Sequence, residues 1–328
     1  MDPIPGRALR IVLPGGSGHL GEMLARFFQE RGHHITVLTR GPYAAPWRTV
    51  HWDGEHIGAW TETLEGADVC INLAGRSVNC RFTPRNRDEV YQSRIGSTQL
   101  LGRVIASLTE PPRVWLNAST ATVYRHALEP LGEATGEYGG NELISPRRRA
   151  PEKWNFSVQV ALDWEAAFFV AFTPRTRKVA LRSAMVMSPT PGGAFATFLN
   201  LVRMSLGGTQ GNGRQFVSWI HGLDFARAVE FLIARDDIDG AVNLAAPNPL
   251  PNGEFMATLR EAYGMPNGIP APAPLIELAA LLLRTESELV LKSRCVVPTR
   301  LLDAGFRFAF PAWSEAAENL VEEWRKRP

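Results

Sequence analysis

Residues 9–40, LRIVLPGGSGHLGEMLARFFQERGHHITVLTR, pass from an apolar strand through a glycine turn into an amphipathic helix and out into a second apolar strand. No other stretch constrains the chain as much. Gly15, Gly18 and Gly21 recur at a three-residue spacing, the first closing the strand and the others opening the helix. This is the setting that a dinucleotide-binding turn requires. Gly15 permits the tight turn, Gly18 lets a pyrophosphate approach the backbone, and Gly21 lets the helix pack closely. The free N–H groups at the helix start then face the anion. The second strand ends in Thr39-Arg40. An NAD site places an acid about 20 residues after the turn to bond the ribose 2′-OH, whereas a 2′-phosphate needs a cation there. Arg40 supplies that cation and no acid competes, so NADP(H) is expected over NAD(H).

Strand-like apolar runs at 9–13, 35–38, 49–52, 69–73, 114–117 and 179–187 alternate with helical patterns at 20–30, 89–107 and 156–172. Continuous apolar strands separated by amphipathic helices predict a doubly wound parallel sheet. After residue 188 the pattern changes: Pro189, Pro191, Gly192, Gly193, Gly207, Gly208, Gly211 and Gly213 crowd together, and 266–274 is proline-rich. These are loop signals, yet a helix at 225–234 and a strand at 241–244 interrupt them. The expected organisation is α/β: a Rossmann-like NADP-binding core over 1–187 and a smaller, discontinuous substrate lobe over 188–328. About 222–246 of that second part returns to the core.

Composition narrows the partners. The net charge of +2 on 328 residues gives no reason to expect nucleic acid or an anionic membrane surface. The densest basic run, Arg147-Arg148-Arg149, lies between Pro146 and Pro151 and reads as a solvated loop. Cys70, Cys80 and Cys295 are odd in number and widely spaced, which argues for a reducing compartment, no disulfide and no metal site. Residues 1–10 lack a signal-peptide core, and the apolar segment 275–283 is too short to span a bilayer. A cytoplasmic protein acting on a small molecule is expected.

Several motifs resemble one family. GGSGHLG at 15–21, NLAG at 72–75, SRIGSTQLL from Ser93, STATVY at 119–124 and Trp164-Glu165 are similar to the extended short-chain dehydrogenases/reductases. GNGRQ at 211–215, SWIH at 218–221 with Asp224, NLAAPNP from Asn243 and VVPTRLLDAGFRF from Val296 resemble its atypical epimerase-like branch, described as nucleoside-diphosphate-sugar epimerases. The resemblance implies a cofactor site built from Gly15, Ser17, Gly18, His19, Leu20, Arg40, Leu73, Ala74, Gly75 and Arg94. It also implies hydride transfer, a nucleotide sugar as the inherited substrate expectation, and a homodimer paired through the 89–107 and 156–172 helices. Trp52-Asp53 either borders the adenine or packs at a turn.

The chemistry departs from the family pattern. Active relatives use Ser or Thr, Tyr, Lys and a helical Asn, because hydride transfer at a carbinol carbon needs a matched proton transfer and a lysine lowers the tyrosine pKa. Thr120 aligns with the Ser/Thr member. Ser157 stands at the tyrosine, Ala161 at the lysine and Ser93 at the asparagine. Tyr124 and His221 are the candidates to handle the proton beside Thr120. Each has a second reading, Tyr124 as packing under the sheet edge and His221 as a structural hydrogen-bonding residue. Lys153 either reaches the site or is a solvated charge, and Asp224 either assists His221 or caps the following helix. Arg94 faces either the site or water, Gly207–Gln215 is a substrate wall or a surface crossing, and Arg182 anchors that loop. Two functions follow: an NADP(H)-dependent oxidoreductase or epimerase with an atypical site, or a non-catalytic NADP(H)-binding redox sensor or interaction protein.

Overall fold

The computed structural model describes residues 7–140, 143–145, 148–282 and 285–327. Residues 1–6, Arg147 of the arginine run and Leu283 of the apolar segment lie outside them. Seven strands form the central sheet: β1 (Arg10–Pro14), β2 (His34–Thr39), β3 (Arg48–His51), β4 (Val69–Asn72), β5 (Val114–Thr120), β6 (Arg177–Ser183) and β7 (Gly240–Leu244). Their order is β3-β2-β1-β4-β5-β6-β7, and every pairing is parallel. The principal helices are α1 (His19–Gln29), α2 (Pro84–Ser107), α3 (Glu152–Val170), α4 (Ala194–Arg203), α5 (Gly222–Ala234), α6 (Asn252–Tyr263) and α7 (Ala273–Leu282).

The strands are apolar throughout because both faces are covered. Ile11, Leu13, Leu116 and Leu181 join Leu24 and Phe28 of α1 and Phe225, Val229 and Leu232 of α5. The alternate residues Val12, Trp115 and Ala180 join Leu100, Leu101 and Val104 of α2 and Phe168 of α3. Successive strand side chains point to opposite faces, so one continuous apolar run fills two cores. Trp115 meets Phe168 edge to face at 4.7 Å between centroids, an arrangement that contributes about 1 kcal/mol beyond burial.

Several element boundaries differ from the sequence expectation: α3 begins at Glu152 rather than Phe156, and α5 at Gly222 rather than Phe225. Residues 179–187 are not one strand: the chain leaves the sheet at Ala184, and Met185–Met187 pairs in parallel with Trp219–His221. Helix α2 begins at Pro84, because Thr83 caps it by accepting the Asn86 amide and proline fits the first helical position.

The second lobe has its own core. Phe195, Phe198 and Leu199 of α4 meet Phe255 and Leu259 of α6 and Trp313, Ala317 and Leu320 of the last helix, Trp313–Arg325. Phe255 and Trp313 stack at 4.1 Å. Between its two parts, α5 and β7 belong to the main sheet assembly. No helix among the described residues is long and apolar enough to cross a membrane.

Candidate active site

The carboxyl ends of β1, β2, β4 and β5 converge on one edge of the sheet. Gly15 follows β1 with φ 73°, donates its amide to Leu38 O at 2.9 Å, and lies against the end of β4. A Cβ there would stand 2.7 Å from the Ala74 nitrogen, so both conformation and space require glycine. A Cβ on Gly21 would overlap the Gly16 backbone, which lets α1 pack down onto the turn. Gly18 is different. Its φ of −82° and ψ of 172° suit any residue, and the one atom within 4 Å of an added Cβ is Gly15 O at 3.7 Å. Neither backbone conformation nor space demands glycine at 18, whereas the close approach of a ligand to the backbone would. Gly18 also caps α1 without a side-chain hydrogen bond, leaving the first amides, those of His19, Leu20 and Gly21, without intrahelical acceptors. An open flank beside free amides fits a pyrophosphate.

The Thr39 hydroxyl donates to Ser17 Oγ at 2.9 Å and ties the end of β2 to this turn. Arg40, the next residue, is exposed, and its guanidinium makes no hydrogen bond or ion pair among the described residues. At the end of β4 the buried Asn72 accepts the Ala74 amide at 3.1 Å and donates to Asn117 Oδ1 at 2.7 Å, which shapes the Leu73–Ala74–Gly75 turn. Gly75 is exposed, and a Cβ on it would stand 3.2 Å from the Arg94 guanidinium carbon. Arg94 itself is half-buried against the Trp164 ring and donates to Val90 O at 3.1 Å. Burial pushes its pKa down to about 10. His19 packs against Gly193 of the second lobe; burial lowers its pKa, and its Nε2 has no protein partner.

Thr120 ends β5, half-buried, with its Oγ1 accepting the Thr122 amide and bonding the Thr122 hydroxyl, both at 3.1 Å. Tyr124 is elsewhere. Its buried hydroxyl donates to Asn243 Oδ1 and accepts from Arg182 Nη1, each at 2.9 Å, while burial raises its pKa. Arg182 also grips Glu165 with two hydrogen bonds of 2.8 and 2.7 Å and donates to Tyr138 at 3.0 Å. The packing reading of Tyr124 therefore prevails, and Arg182 anchors β6 to α3 rather than the 207–215 loop. His221 is likewise structural in placement. Its Nδ1 accepts the Leu223 amide to cap α5, its Nε2 meets Asn319, and burial drops its pKa to about 4. Asp224 is not the cap: it accepts the Ala309 and Phe310 amides at 2.8 Å.

Other expectations resolve similarly. Trp52 packs on Trp60, and Asp53 closes its own turn through the Glu55 and His56 amides. Gln210 and Gln215 of the 207–215 segment are buried; Gln215 donates to Gln210 O at 2.8 Å, and Asn252 exchanges hydrogen bonds with Gln210. That segment is a tied loop with Arg214 exposed. Lys153 is committed to Glu277 Oε2 and Ser287 Oγ, at 3.0 and 2.9 Å. Ala161 is buried, and Ser93 bonds the carbonyl of Val90 in its own helix. Ser157 donates to Glu288 Oε2 at 2.7 Å. Glu288 and Lys292, buried against Ser157 and Thr122, are residues that the sequence reading missed. The available signal was a set of charges inside the otherwise apolar run ELVLKSRCVV.

Residues 11–245 match the model of the NAD dependent epimerase/dehydratase family, and 271–320 match a domain of unknown function, DUF1731. The bovine (Bos taurus) epimerase family protein SDR39U1 is 32% identical over 95% of this chain and 100% of its own length. The Staphylococcus aureus epimerase family protein SA0724 is 30% identical over 95% of this chain and 99% of its own. The crystal structure of human epimerase family protein SDR39U1 (isoform 2) with NADPH superposes with a TM-score of 0.81 at 28% identity, covering 96% of this chain and 99% of that one.

Proposed function

The chain belongs to the NAD dependent epimerase/dehydratase family, and on that premise we propose that it holds NADP(H) along the β1–β5 edge and acts by hydride transfer on a small carbonyl or carbinol compound. The observation that carries the reading is Gly18: a glycine without structural need, open to solvent, in front of three free helix amides. His19 and Leu20 continue that cradle, and Ser17 joins it to Arg40, the residue placed to meet a 2′-phosphate. The backbone of Leu73, Ala74 and Gly75 forms the opposite wall, with Arg94 behind Gly75 as a cation for an anionic group of cofactor or substrate. A bound nicotinamide supplies the hydride donor or acceptor. Thr120, half-buried at the end of β5 with its hydroxyl fixed by Thr122, positions and polarises the substrate oxygen.

Nucleotide sugars are the first substrate class to try. Purified protein carrying NADPH is incubated with sugar nucleotides, ketones, aldehydes and oxo acids, and its complement carrying NADP⁺ with the matching carbinols. Cofactor turnover with at least one class is expected. Tight NADPH binding with no turnover across the panel would instead favour a redox-sensing or partner-binding role. The buried Ala161 at the position of the family lysine supports that second reading.

A further inference from the structure

The segment from Thr285 to Val297 crosses the face of the core where the family tyrosine and lysine would act. Glu286 accepts the Phe82 amide at 3.0 Å ahead of α2. Ser293 donates to Ala127 O at 2.5 Å, and Ser218 of the second lobe donates to Arg294 O at 2.6 Å. The segment is thus stitched to core and lobe alike. Between these ties it carries Glu288 and Lys292, each only 2% exposed. Glu288 Oε2 accepts from Ser157 Oγ, while Oε1 lies 3.4 Å from Arg294 Nη2 and 3.8 Å from Lys292 Nζ. Lys292 Nζ donates to Thr122 O at 3.1 Å, and Thr122 holds the Thr120 hydroxyl. One chain of contacts therefore runs Thr120, Thr122, Lys292, Glu288, Ser157. Burying a carboxylate with two cations carries a desolvation penalty that apolar packing would avoid, so stability alone is a poor reason for it.

We propose that this C-terminal segment supplies the ionisable groups that α3 lacks: Glu288 exchanges the substrate proton through the Ser157 hydroxyl, and Lys292 is a positioning residue for the Thr120 loop. The proposal rests on the hydride-transfer reading above. In carbinol oxidation the electron pair of the C–H bond leaves as hydride to NADP⁺. The carbinol O–H proton passes to Ser157 Oγ as the Ser157 proton passes to Glu288 Oε2. A carbonyl, a carboxylic acid and NADPH result, and reduction runs the same steps backwards. The half-buried Ser157 is the part that a substrate reaches, with Glu288 behind it. The charged groups in contact with Glu288 are Lys292 and Arg294 on its own segment, while Lys153 of α3 is paired with Glu277 and with Glu286 of that segment.

The test uses the full chain with the substrate found by the cofactor-turnover panel, comparing wild type, Glu288→Gln, Ser157→Ala and Ser157→Thr. Readouts are kcat against pH, NADPH affinity, melting temperature and proton release in a single turnover followed with an indicator dye. General acid–base catalysis is worth roughly 10²–10⁴-fold, so Glu288→Gln and Ser157→Ala should each lose about 100-fold or more in kcat. NADPH affinity should stay within about twofold, Glu288→Gln should remove the acid limb of the pH profile for carbinol oxidation, and Ser157→Thr should recover much of the rate. Full kcat in Ser157→Ala, a variant too conservative to unfold the helix, would overturn the relay while leaving the hydride-transfer reading intact. Absence of turnover by the wild type across the whole panel would overturn both.

Discussion

The Thr39 hydroxyl donates to Ser17 Oγ at 2.9 Å, so the last residue of β2 is fastened to the glycine turn after β1. Arg40 is thereby set beside the turn with its side chain in solvent and uncommitted among the described residues. A hydrogen bond to a charged group is worth about 1.5–3 kcal/mol. Arg40→Ala should therefore weaken NADPH binding by roughly 10- to 100-fold and leave NADH binding within about threefold. Titrations followed by nicotinamide fluorescence measure both, and equal losses for the two cofactors would remove Arg40 from the 2′-phosphate.

Tyr124 belongs to the buried network of Arg182, Glu165 and Asn243. Tyr124→Phe removes one hydroxyl and leaves Asn243 Oδ1 and Arg182 Nη1 short of a partner, which should destabilise the protein by about 1–3 kcal/mol. Urea unfolding reads this directly. NADPH affinity and turnover should stay near wild type; a large loss of kcat with unchanged stability would return Tyr124 to the chemistry.

His221 gives stability a pH dependence. Burial lowers its pKa to about 4 from an unfolded value near 6.5, so the unfolded chain binds the proton first as pH falls. The folded state carries neutral His221 without penalty above pH 6.5, and loses stability between about 6.5 and 4 by up to about 3 kcal/mol. Burial lowers the pKa of His19 and His33 as well and adds a slope of the same sign. His221→Asn retains a side chain able to cap α5 and should flatten the wild-type slope in that window. Identical slopes in the two proteins would show that His221 does not stay neutral in the fold.

Local signals in the sequence disclosed the sheet, because strand and helix periods and the glycine turn are properties of neighbouring residues. They also singled out Gly15, Arg40 and Leu73 as candidate cofactor positions, and these directly follow the ends of β1, β2 and β4. The passage from core to lobe at Ala184 was hidden, since the apolar run 179–187 continues unbroken while its hydrogen-bond partner changes from β7 to Trp219–His221. Tyr124 looked available because Asn243 and Arg182 are 119 and 58 residues away from it in the chain. Ser157 and Glu288 are 131 residues apart, and no local pattern links them.

The central claim, a dinucleotide cradled at the start of α1, is tested most directly at Gly18. Fluorescence titration of NADPH is made on wild type and Gly18→Val, with melting temperatures in parallel. A Cβ there meets no atom beyond its chain neighbours closer than 3.7 Å and the backbone angles suit valine, so the loss of a favoured N-cap residue is the expected cost and the melting temperature should fall by no more than about 4 °C. The side chain would fill the pyrophosphate's place, so NADPH binding should fall by about 100-fold or more. Wild-type NADPH affinity in a folded Gly18→Val protein would contradict the claim.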